Sequence, residues 1–125
     1  MQIDKLTYRS VRTRAALLPL TRPVVARVGE FREWPVILID LETEEGITGT
    51  SYLEPYLANS VKYIMPAIHD LIDRRKGEAI APATDFYTHR KMLNLIGLQG
   101  IATIAVSGID MAAWDALSKA ANMPL

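Results

Sequence analysis

The chain reads as an α+β domain in which a three-stranded antiparallel meander is followed by three helices. Two changes of period along its 125 residues carry that prediction. Up to about Leu53 the apolar residues alternate or run in short β-branched blocks, as strands require. Beyond Pro55 they recur at spacings of three and four, as one face of a helix requires.

Residues 3–18 alternate most clearly at Val11, Thr13, Ala15 and Leu17 against Arg12 and Arg14, which suits a half-buried first strand. Pro19 is expected to end it. Residues 19–35 show no sustained period and hold Pro, charge and aromatics, so they read as a long loop. Val36 to Leu41 (VILIDL) is the second strand and Ile47 to Leu53 the third, with Glu44-Glu45-Gly46 as the turn between them.

Pro55 suits the opening turn of a first helix, whose core face is Val61, Ile64, Met65, Ile68, Leu71 and Ile72. Pro66 is expected to kink it, and Gly77 to end it after the basic run Arg74-Arg75-Lys76. A second helix opens at Pro82 and extends to about Leu95, with Gly97 and Gly100 separating it from the third. That third helix starts at Ile101 and meets its stop signals at Asn122 and Pro124. Ile101, Ala105, Val106, Ile109, Ala112, Ala113, Ala116, Leu117 and Ala120 form its apolar arc. The small side chains let another element pack very close. A helix so apolar at the end of the sequence looks like part of a domain cut from something larger.

Composition narrows the function classes. Fourteen basic residues balance fourteen acidic ones, so nothing points to nucleic acid or to an anionic membrane. There is no Cys, which removes disulfides and thiolate metal sites. The N-terminus lacks the apolar core of a signal peptide, and no apolar run approaches ~20 residues. A cytoplasmic protein without a membrane partner is expected.

Candidate chemistry is sparse. His69 and His89 each lie on a predicted helix without a second ligand in a recognised metal motif, and are expected at the surface or half-buried. Asp85, four residues before His89, is placed to salt-bridge it. Glu42, Glu44 and Glu45 crowd a turn where solvation is their expected fate. Asp110 and Asp115 are five residues apart, about 140° around a helix, and cannot share one site. Thr21, Arg22, Val24, Arg27, Phe31, Arg32 and Trp34 combine aromatics and guanidiniums in the expected loop. That loop either closes over a small anionic ligand or tucks its Phe31 and Trp34 under the sheet.

Residues 105–125, AVSGIDMAAWDALSKAANMPL, resemble a signature of the mandelate racemase/muconate lactonizing enzyme family of the enolase superfamily. Ala105, Gly108, Ile109-Asp110, Ala112, Trp114-Asp115, Lys119 and Pro124-Leu125 carry the match, and Ser118 departs mildly from the Gly or Ala usual there. Upstream, Pro19-Leu20, Pro23-Val24, Val28-Gly29, Ile37 to Leu41, Gly46, Gly49 and Ser51-Tyr52-Leu53 fall in the order of the family's N-terminal domain, nearest to its mandelate racemase branch.

The resemblance implies that residues 1–125 are an N-terminal capping domain, with a C-terminal (β/α) barrel lying outside this sequence as its partner. The barrel would bind Mg²⁺ and supply the bases that remove a proton α to a carboxylate. No catalytic and no metal-ligating residue is then expected here, and the fragment alone should be inactive. The substrate would be a small carboxylate and the reaction that of an isomerase (racemase) or a lyase (acid-sugar dehydratase). The family also implies a homo-oligomer. Two loops would cover the barrel mouth, Thr21 to Trp34 and the stretch with Glu54, Pro55 and Tyr56, and in them Val24, Phe31 and Tyr56 would line the cavity for the substrate's side chain. The bulk of Phe31 and the nearby Arg22, Arg27 and Arg32 point to a smaller or more polar pocket suited to a sugar acid. The competing expectation is a stand-alone homo-oligomeric interaction domain without catalysis, which would bury its apolar helix against a second copy.

Overall fold

A computed structural model describes residues 3–125. Strands β1 (Tyr8–Ala26), β2 (Gly29–Thr43) and β3 (Thr48–Leu53) precede helices α1 (Val61–Asp73), α2 (Pro82–Leu93) and α3 (Ile101–Ala120). The strands form one antiparallel sheet in the order β1-β2-β3, so the predicted meander-then-helices architecture is correct.

One face of the sheet holds the core. Val11, Ile37, Ile39, Leu41 and Leu53 point to the helices, as the period of two requires, and meet Ile64, Ile68, Leu71 and Ile72 of α1. The buried side of α3 is Ala105, Val106, Gly108, Ile109, Ala112, Ala113 and Ala116. Its small residues set the helix almost on the sheet backbone: a Cβ built on Gly108 would come within 2.5 Å of Ile39 Cδ1 and 2.8 Å of Leu53 Cδ1. Ser51 Oγ uses this closeness to donate to the Gly108 carbonyl at 2.7 Å. Ile101 and Leu117, at the flanks of the arc, stay largely exposed. By length and composition alone α3 is long and apolar enough to cross a membrane; its apolar side here faces the sheet.

The third helix ends as expected. Asn122 adopts φ 54°, its N–H donates to Lys119 O at 3.1 Å, and the Met123 N–H donates to Ser118 O at 2.9 Å. That pair of bonds satisfies carbonyls that the helix end would otherwise leave open.

Three expectations need correction. Residues 19–35 are not a loop: β1 and β2 continue as a two-stranded arm to a turn at Arg27 and Val28, and Pro19 does not end β1. Both prolines of β1, Pro19 and Pro23, are tolerated because β1 is an edge strand and one flank needs no ladder bond. The first helix does not open at Pro55. Tyr56 has φ 64° and Leu57 is extended, so a short 3₁₀ turn at Ala58–Ser60 precedes α1 at Val61. α1 then runs as one element through Pro66, which lies with Lys62 on the exposed side, where water can satisfy the free Lys62 carbonyl.

Candidate functional site

The arm and the segment after β3 meet at one end of the sheet. Val24, Ala26 and Val28 alternate along the β1 side of the arm, and Phe31 and Trp34 stand on the β2 side. Tyr56 and Leu57 approach from beyond β3. Together these seven residues line an apolar hollow of about 630 Å³. The three residues expected to line a substrate cavity, Val24, Phe31 and Tyr56, are all in it. Val24, Val28, Tyr56 and Leu57 are exposed, which concentrates open apolar surface in one place, and such patches mark interaction sites.

The aromatic wall is ordered edge to face. The Trp34 ring lies 6.1 Å from Phe31 at 86° and 6.5 Å from Tyr56 at 76°. Trp34 Nε1 donates to Glu54 Oε2 at 3.1 Å. Tyr56 holds a left-handed backbone that non-glycine residues seldom adopt outside constrained sites. The following turn is pinned by Ser60 Oγ, which donates to Pro55 O at 2.9 Å and to Leu57 O at 2.7 Å.

None of Arg22, Arg27 and Arg32 lines the hollow. Arg32 pairs with Glu30 at 2.7 Å and borders an adjoining depression of about 490 Å³ that shares Phe31, Tyr56 and Leu57 with the hollow. The polar character expected of the cavity is therefore absent from its walls. Trp34, expected with Phe31 in the stretch that could close over a ligand, is in the wall, whereas Ala26, Val28 and Leu57 are lining residues that the sequence did not single out. The period-two spacing of Val24, Ala26 and Val28 was the available signal, hidden by taking the arm for a loop.

The remaining candidates lie elsewhere. His69 Nε2 is 2.8 Å from Thr13 Oγ1, beside a hollow of about 430 Å³ near Arg12, Arg14 and Asp40. His89 is completely buried, against the expectation of a surface or half-buried side chain. It does not salt-bridge Asp85: Arg75 intervenes, its Nη1 2.8 Å from Asp85 Oδ1 and 3.4 Å from His89 Nε2. Burial, reinforced by the Arg75 charge, pushes the His89 pKa down to about 4. Tyr8 donates to Asp85 Oδ2 at 2.8 Å, and burial with that bond raises its pKa well above the usual phenol value.

Glu45 is not merely solvated. It accepts from Thr7 N at 2.8 Å and Thr7 Oγ1 at 2.7 Å, and although burial acts the other way, these bonds hold its pKa low. Glu42 pairs with Arg12 at 2.9 Å. Asp115 accepts from Thr50 N at 2.6 Å and pairs with Lys119 at 2.7 Å, so it clasps β3 to α3. Among the described residues no group of three or more His, Asp or Glu side chains converges to hold a metal ion.

A short antiparallel meander backed by three helices, with an apolar hollow where the hairpin arm meets the post-β3 turn, defines an α+β domain of the enolase-superfamily N-terminal type. The chain belongs to the mandelate racemase / muconate lactonizing enzyme family, whose N-terminal domain model matches residues 8–125. A crystal structure of an enolase from alpha proteobacterium bal199, with bound Mg, superposes with a TM-score of 0.90 at 51% identity, covering 95% of this chain and 33% of that one. An enolase from Bradyrhizobium, complexed with magnesium and mandelic acid, gives 0.87 at 33% identity over 97% of this chain and 34% of its own. D-Galactonate dehydratase of Klebsiella pneumoniae is 30% identical over 89 residues, 71% of this chain and 23% of the relative. The chain thus spans about a quarter of that curated relative.

Proposed function

We propose that residues 1–125 are the capping and specificity domain of a Mg²⁺-dependent enzyme that removes a proton α to a carboxylate. One observation carries this: Val24, Phe31 and Tyr56, from two separate segments, converge on a single open apolar hollow at the end of the sheet. A hollow between the arm and the post-β3 turn can receive the part of a substrate that does not react and exclude water around the part that does. In this reading the metal and the catalytic bases belong to a C-terminal barrel; the reading is supported by the Mg-bearing relatives, of which this chain covers only 33% and 34%. The domain alone is catalytically silent, and the whole enzyme is a cytoplasmic homo-oligomer.

The apolar walls favour a 2-hydroxy acid with an aromatic or aliphatic substituent. A polyol would lose the hydration of its hydroxyls there without hydrogen-bond partners. The similarity to galactonate dehydratases supports a second substrate class, a sugar acid undergoing dehydration. Assays of the full-length protein with Mg²⁺ separate the two. Loss of optical rotation from a single mandelate enantiomer identifies a racemase, and 2-keto acid formation from galactonate identifies a dehydratase. Saturable turnover of neither, with no binding of either acid, would defeat the capping role.

A further inference from the structure

Building on the proposed capping role, we infer that Trp34 is a positioning residue that sets the arm's angle over the hollow, and that Glu54 locks it in place. The need for such a device arises in the strand register. Pro19 pairs with Glu33 and Val24 with Phe31, so four residues of β1, Leu20 to Pro23, lie opposite the single residue Arg32. The ladder is interrupted at the base of the arm, and a bulge of this kind bends the strand and loosens its pairing. Backbone hydrogen bonds alone therefore do not fix where the tip points.

Trp34 spans the interruption. It pairs with Leu18 on the sheet side of the bulge, while its ring meets Phe31 on the tip side. The same ring meets Tyr56 beyond β3, and its indole N–H is held by Glu54 one residue past the end of β3. One side chain thus ties the arm to the other wall of the hollow. Glu54 is exposed and ends no core contact, so its acceptor role is separable from folding. Trp34 is itself part of the wall, whereas Glu54 lies outside the lining and acts on the substrate only through Trp34, by fixing the width of the hollow between Phe31 and Tyr56.

Three variants of the full-length protein test this: Glu54→Leu, Glu54→Gln and Trp34→Phe. The readouts are the Trp34 indole ¹H–¹⁵N resonance (assigned by its loss in Trp34→Phe), backbone hydrogen exchange at residues 30–34 and 56–58, and mandelate affinity with Mg²⁺ present. Glu54→Leu should shift the indole resonance, speed exchange in both segments about fivefold and weaken mandelate about fivefold, from loss of one charge-assisted bond. Trp34→Phe should reproduce the exchange and affinity changes. Glu54→Gln, which keeps an acceptor oxygen, should restore all three. Unchanged exchange and an unmoved indole resonance in Glu54→Leu overturn the positioning role. If exchange responds as expected but the parent protein does not bind mandelate, the positioning role stands and the apolar-acid capping role falls.

Discussion

Arg75 Nη1 and Asp85 Oδ1 form a 2.8 Å ion pair at the junction of α1 and α2, and both side chains are more than nine-tenths buried. Asp85 also accepts from Tyr8 Oη and, at 2.7 Å, from the Ala81 N–H at the start of α2. Arg75 completes its donors through Glu78 at 2.7 Å and covers the Tyr8 ring at 5.1 Å. The start of β1, the segment just after α1 and the first two turns of α2 are joined here by charge and hydrogen bonding within the apolar core. Removing one partner strands the others without water. Asp85→Ala is expected to cost about 4 kcal/mol, and Asp85→Asn, which keeps an acceptor, clearly less. Urea unfolding would show it as a lower midpoint at similar slope; equal midpoints for Asp85→Ala and the parent would refute the cluster's role.

The same cluster gives the domain an acid sensitivity of defined sign. His89 is buried and faces Arg75, with Asp85, Glu78 and Tyr8 as the other titratable groups around it. Its folded pKa, about 4, lies below the unfolded value near 6.5. The unfolded chain therefore binds the extra proton first as pH falls. The contribution is complete above about pH 6.5 and is lost progressively down to about pH 4, a total of about 3 kcal/mol. His89→Gln should flatten this part of the stability–pH curve. An identical slope between pH 6.5 and 4 in parent and variant would show that His89 is not its source.

Two glycines at the sheet–helix contact should respond unequally to alanine. A Cβ on Gly49 would overlap the Ala112 carbonyl and come 2.8 Å from Ala116 Cβ and 2.9 Å from Ala116 N, all fixed on α3. At Gly108 the obstacles are the ends of Ile39 and Leu53, which can turn aside, and alanine favours the helix by about 1 kcal/mol. Gly49→Ala is expected to destabilise by about 3 kcal/mol and Gly108→Ala by about 1. Thermal melts of the two variants decide it: a reversed order would mean that α3 can lift off β3 more easily than its Ala-rich face suggests.

The elements legible in the sequence were those in which one physical requirement dominates. Val36 to Leu41 is a short β-branched apolar run closed by a turn signal, which suits a strand, and Ile64, Ile68, Leu71 and Ile72 could share a face only on a helix. The arm was not legible because Pro19 and Pro23 carry the local signal of a break, while the pairing that overrides it comes from β2. Pro55 misled in the opposite sense, since the left-handed Tyr56 that delays α1 has no marker such as Gly. Val24, Phe31 and Tyr56 came from family resemblance, and the residues that complete the hollow became visible only when the arm's register was known. The Arg75–Asp85–His89 arrangement joins two helices, and the spacing of Asp85 and His89 alone suggested a pair that Arg75 displaces.

Phe31 and Arg32 are neighbours in sequence that both border the 490 Å³ depression, but only Phe31 also lines the apolar hollow, which makes them a sharp test of what the hollow receives. Phe31 lines the apolar hollow and meets Trp34; Arg32 turns away to Glu30. For a substrate with an apolar group, Phe31→Ala in the full-length enzyme removes contacts made equally in ground and transition states. KM should rise about tenfold with kcat little changed, while Arg32→Ala should change neither by more than about twofold. A sugar acid would invert the pattern, since its hydroxyls and charge would gain from a guanidinium and little from a phenyl edge. Steady-state kinetics of both variants on mandelate and on galactonate, side by side, therefore report which chemistry the arm selects. A large KM effect of Arg32→Ala on mandelate would place the substrate in the adjoining depression that Glu30, Arg32 and Glu33 border, and not in the apolar hollow.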